Sequence, residues 1–90
     1  MLLKSLLEWG RQELVDLGPE ESRASAERLL EEVLGLERTF LYLKAVDSIP
    51  PTQAARYRRL ILKRKARVPV AYLLQKAYLD RKSTRLNSSH

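Results

Sequence analysis

The 90-residue chain has no cysteine, which excludes disulfides and thiolate metal sites and is compatible with a reducing compartment. Its one histidine is His90, at the extreme C-terminus, so a Ser–His pair or a histidine metal site has almost nothing to draw on. Glycine and proline are scarce, at 3 and 4, which suits helices joined by short turns. Gly10, Gly18 and Gly35 lie too far apart for a phosphate-cradling loop. Long apolar runs are missing too. The leucines of the first 14 residues are interrupted by Lys4, Glu8, Arg11 and Glu13, so this is not a signal peptide. No stretch approaches the ~20 apolar residues of a membrane span. The expectation is one small, soluble, cytoplasmic domain without membrane contact.

What is present is helical periodicity. Leu3, Leu6, Leu7, Leu14 and Leu17 share one face of a first helix, with Trp9 at its edge and Gly18-Pro19 as the stop and restart. A second helix is expected over Glu21–Leu34. Ala26, Leu29, Leu30, Val33 and Leu34 form its apolar stripe, and Gly35 is its left-handed cap. A short third helix around Arg38–Lys44 carries Phe40, Leu41 and Leu43. A fourth is expected from Gln53 to about Ala66, with Thr52 as N-cap. Val68 is pushed toward extended geometry by Pro69, which opens a fifth. The fold class is therefore all-α: a bundle of about five short helices over residues 1–78, organised around Arg56–Tyr78. Leu7, Leu14, Leu29, Leu30, Val33, Leu41, Tyr57, Ile61, Tyr72 and Leu73 are its expected core.

On the wheel of the fourth helix, Ala54, Tyr57 and Ile61 cluster on one side. Arg56, Arg59, Lys63 and Arg67 lie opposite, while Arg58 and Lys65 fall nearer the apolar side. The four opposed cations are either a solvated face or a docking surface for RNA or an RNA-bound protein. The paired acids Glu20-Glu21 and Glu31-Glu32 are adjacent in sequence and diverge on a helix, so they make no catalytic dyad. The tyrosines Tyr42, Tyr57, Tyr72 and Tyr78 are scattered, with no expected sheet to display them for base stacking. No catalytic, cofactor-binding or metal-binding residue is identified.

Residues Asp80–His90, DRKSTRLNSSH, have almost no apolar residue and no helical period. They back-translate, codon by codon, into a stretch that resembles a common sequencing adapter. Residues 79–90 are accordingly read as a disordered tail of non-native origin and set aside. Asp80–His90 hold three of the 17 basic and one of the 11 acidic residues, so the net charge of +6 falls to +4. The basic signal is weaker than the whole chain suggests.

Two segments carry a family resemblance. Ala26-Glu27-Arg28-Leu29-Leu30 through Val33-Leu34-Gly35, then Arg38 and Leu41, is one. Lys63-Arg64-Lys65-Ala66-Arg67-Val68-Pro69-Val70-Ala71-Tyr72-Leu73-Leu74 is the more specific. Together they resemble the N-terminal domain of bacterial release factor glutamine methyltransferases, the HemK-type family. Two departures stand out. Arg67 replaces the usual turn glycine, which makes a left-handed cap more costly, and Gln75 replaces the glycine after the Ile-Leu pair. The resemblance implies a helical bundle that helps to recognise class I peptide release factors. It implies also a separate domain, which binds S-adenosylmethionine and methylates the glutamine of the Gly-Gly-Gln motif. Neither the cofactor loop nor the Asn-Pro-Pro-Tyr motif of that domain occurs here, so no catalytic residue carries over. The native chain is expected to continue beyond Tyr78 into a linker and that domain, and direct nucleic-acid binding is not expected. The alternative is a stand-alone basic helical module for RNA or an RNA-associated protein, recognisable by strongly salt-dependent binding.

Overall fold

The computed structural model describes residues 1–88, with side chains through Leu79. Among them five α-helices run in the order α1 (Leu3–Glu13), α2 (Pro19–Leu34), α3 (Arg38–Leu43), α4 (Pro51–Lys65) and α5 (Val70–Ser88). The fifth was expected to be short and extends further along the chain. The tail expected to be disordered and non-native starts at residue 79; its backbone is helical through Ser88 as the end of α5, while residues 89–90 and the side chains beyond Leu79 lie outside the described ones.

Leu3, Leu6, Leu7 and Gly10 occupy the buried face of α1, and Leu14 follows on the same line. Backbone N–H groups at the start of a helix need partners from outside it. Here the loop before α4 supplies them: Leu3 N donates to the Asp47 carbonyl and Lys4 N to the Ala45 carbonyl, each at 2.9 Å. Ile49 N donates in return to the Met1 carbonyl at 2.8 Å, and Leu2 and Ser48 form an isolated antiparallel bridge. The N-terminus is thus pinned beneath residues 45–49. Nothing in the local sequence pattern announces that contact.

The hub of the bundle is α2, which packs against α1, α3, α4 and α5, and not the Arg56–Tyr78 stretch around which the sequence suggested an organisation. Its N-terminal turn follows Gly18 (φ 99°), with Pro19 at the first helical position and Glu20 and Glu21 beside the positive end of the dipole. Ser22, Ser25, Ala26, Glu27, Leu29, Leu30 and Val33 are all buried, a face wide enough to receive several partners. Gly35 closes the helix in the left-handed conformation, at φ 67°, as expected.

The cap expected at Thr52 is not formed. Pro51 takes the first helical position and Pro50 the cap, because a proline there lacks only an N–H that would be unpaired anyway. Tyr72 is likewise not a core residue, being 55% exposed. Among the other helices, α5 packs chiefly against α2 and α4, so only a narrow stripe led by Leu73 faces inward. Tyr72, about 100° away around the helix, faces out. The other nine expected core residues are buried.

The end of α4 is a Schellman turn: Val68 N donates to the Lys63 carbonyl at 3.2 Å and Arg67 N to the Arg64 carbonyl at 2.8 Å. It requires a left-handed residue at position 67, and Arg67 adopts φ 75°. A side chain there costs about 1 kcal/mol relative to glycine. Arg67→Gly should therefore raise the melting temperature by about 4–8 °C. A variant melting at or below the parent would show that the cap carries no strain.

Candidate functional site

Helix α4 contains six Lys or Arg residues and no acidic one. Its orientation is fixed by Ala54, Tyr57 and Ile61, all buried against α1 and α2. That rotation places Arg59 and Lys63 in solvent, with Arg56 half-buried beside them and Arg67 exposed on the turn. Among the described residues, no side-chain hydrogen bond or ion pair engages any of these four. Arg56, Arg59 and Lys63 share one face of α4, as the wheel has it, whereas Arg67 lies beyond the helix on the left-handed turn.

Arg64, which sequence reasoning passed over, turns inward instead. Its Nη2 lies 3.3 Å from Glu21 Oε2, its Nε donates to Ser25 Oγ at 3.2 Å, and its Nη1 donates to the Val68 carbonyl at 3.2 Å. Ser25 Oγ in turn donates to Glu21 Oε2 at 2.6 Å. The Ser25 bond, helped by the bond and charge of Arg64, holds the Glu21 carboxyl below its ordinary range against the opposing effect of desolvation. One guanidinium thereby joins α2, α4 and the turn into α5. Its spacing gives a partial signal, since position 64 follows Tyr57 by seven residues and Ile61 by three, at the border of the buried face, but its partners on α2 carry no local one. Lys65 Nζ pairs with Glu13 Oε1 at 3.1 Å and ties α4 to the end of α1.

A second buried polar cluster lies between α2 and α3. The Glu27 side chain is only 5% exposed, and its carboxylate accepts the Tyr42 hydroxyl, with Arg38 Nε 3.7 Å from its other oxygen. Both oxygens are engaged, so Glu27 is a cross-link between helices and not a free base. Donation to Glu27 raises the Tyr42 pKa. The Tyr57 hydroxyl, fully buried, donates to the Ala26 carbonyl at 3.0 Å, and its pKa is pushed up chiefly by burial and then by the Glu27 charge.

Both tyrosines hold their protons more tightly in the folded chain than in the unfolded one. Stability from this source is complete below the unfolded value of about 10 and is lost as the pH rises above it, because the unfolded state ionises first. Denaturation midpoints should fall from about pH 10 upward. Tyr57→Phe should flatten that fall, and a variant with the parent's slope would remove Tyr57 from the explanation.

Among the described residues no three His, Cys, Asp or Glu side chains converge as metal ligands, and no helix is long and apolar enough to cross a membrane. Fold and surface together define a small all-α domain with one cationic face. A family model described as the PrmC N-terminal domain matches residues 5–74, and the chain belongs to that family. It is similar to a release factor glutamine methyltransferase of Geobacter sulfurreducens, with 35% identity over 72 residues. The match covers 80% of this chain and 25% of the relative, so the chain spans about a quarter of that protein's length. No solved structure matches.

Proposed function

We propose that this chain is the substrate-recognition domain of a release factor glutamine methyltransferase. In this reading it contacts a class I peptide release factor in the cytoplasm through Arg56, Arg59, Lys63 and Arg67. The family match supports the parentage, and the observation that carries the surface is the unengaged cationic face of α4. Methyl transfer to the glutamine of the Gly-Gly-Gln motif would belong to a further domain that holds S-adenosylmethionine. The role of this chain is to hold and orient the protein substrate, which binding energy remote from the reacting atoms can do.

The test is release factor affinity. Arg59→Glu combined with Lys63→Glu should weaken binding about tenfold, chiefly through slower association, with a shallower salt dependence than the parent. Unchanged affinity would return the face to plain solvation. Tight, steeply salt-dependent binding of bare RNA, without release factor binding, would favour an RNA-binding module instead.

A further inference from the structure

The cations of α4 do not stand on a purely polar surface. Leu62 is 51% exposed, and Ala55 and Ala66 are exposed with it. At 100° per residue the three fall within about 40° of one another and span three turns, about 16 Å. Arg58 and Lys65 flank this row on one side, Arg59 and Lys63 on the other.

We propose that this face receives an acidic amphipathic helix, whose apolar stripe lies along Ala55, Leu62 and Ala66 while carboxylates on both sides meet the flanking cations. The proposal rests on the release factor reading for the identity of the partner but not for the chemistry of the surface. Charge complementarity selects an acidic partner, since Arg58, Arg59 and Lys63 stand exposed around the row and α4 carries no acid of its own. Among the described residues, Lys65 alone of the flanking cations already meets a carboxylate, that of Glu13. The apolar row selects a protein helix. Alanines at either end of Leu62 let a second backbone approach to the usual ~8–10 Å interaxial distance. A nucleic-acid backbone would satisfy the cations and leave Leu62 uncovered. Base stacking has no platform on this helix either, because its one aromatic residue, Tyr57, is fully buried.

The chain would be titrated, by fluorescence anisotropy, with a designed helical peptide carrying a leucine stripe flanked by glutamates. A scrambled isomer of equal charge and a short single-stranded RNA serve as comparisons. The amphipathic peptide should bind about tenfold more tightly than its isomer, and Leu62→Asp should erase that difference. Leu62 is exposed, so this variant should fold as the parent does. Equal binding of the two isomers, or preferred binding of the RNA, would overturn the proposal. Release factor binding, measured the same way, separates it from the functional reading. Selective peptide binding without release factor binding keeps the surface and ends the release factor role. Release factor binding that ignores Leu62→Asp keeps the role and ends this surface.

Discussion

Gly10→Ala should destabilise the bundle by about 2 kcal/mol, although the same change in an exposed helix interior would stabilise by about 1 kcal/mol. Gly10 lies on the buried face of α1, where that helix crosses α4. A Cβ built there would run into the Tyr57 hydroxyl and come within 3.1 Å of Tyr57 Cζ and 3.2 Å of Ile61 Cδ1. Neither side chain has room to retreat. Tyr57 and Ile61 are fully buried, and the Tyr57 hydroxyl is held by the Ala26 carbonyl. Trp9 packs edge-on against the same ring, with centroids 6.4 Å apart. The penalty of overpacking therefore exceeds the gain in helix propensity. Tyr57→Phe supplies the control, since it deletes the atom in closest conflict. In the Tyr57→Phe background, Gly10→Ala should cost less by about 1 kcal/mol, a coupling readable from urea midpoints in a double-mutant cycle. A Gly10→Ala protein as stable as the parent would refute the close approach.

This contact also bears on function. The rotation of α4 about its own axis is set by Tyr57 and Ile61 meeting α1 at Gly10. The same rotation decides which arginines face solvent. A larger residue at position 10 would thus disturb the cationic face without touching it.

The sequence made the helices readable because apolar residues recur at helical spacing and because Gly18-Pro19, Gly35 and Pro69 punctuate them. The cationic face of α4 was legible for the same reason: once Tyr57 and Ile61 point inward, Arg59 and Lys63 have only solvent to enter. Arg67 was legible in a different way. A glycine is expected at that turn, and the arginine adopts the left-handed geometry nevertheless. What escaped was tertiary. The tie between residues 1–4 and 45–49 is made by backbone groups, which carry no sequence signature. Arg64 looked like one more cation in a basic run. Its partners, Glu21 and Ser25, lie some forty residues earlier on another helix. The role of α2 as hub depends on how many helices reach it, and periodicity within α2 cannot report that.

Ile61→Ala and Tyr72→Ala should separate sharply, although the sequence pattern assigns both residues to the core. Ile61 is 0% exposed and sits where α4 meets Gly10 of α1. Truncating it removes buried methyl and methylene groups and leaves a cavity between helices braced by Tyr57. The expected loss is about 2–4 kcal/mol, which would unfold much of so small a bundle near physiological temperature. Tyr72 is 55% exposed on α5, and no hydrogen bond or ring contact engages it among the described residues. Its removal should change stability by about 0.5 kcal/mol or less, the usual scale for a surface position. Apolar character alone cannot tell these two sites apart, because each follows helical spacing within its own segment. The difference lies in what closes over each side chain: α1 meets Ile61 at Gly10 and Ile61 is left no exposure, whereas Tyr72 on the outer side of α5 stays open. Denaturant melts of both variants decide the matter. A Tyr72→Ala loss equal to that of Ile61→Ala would mean that the outer side of α5 is covered in solution and that this packing of α5 is wrong.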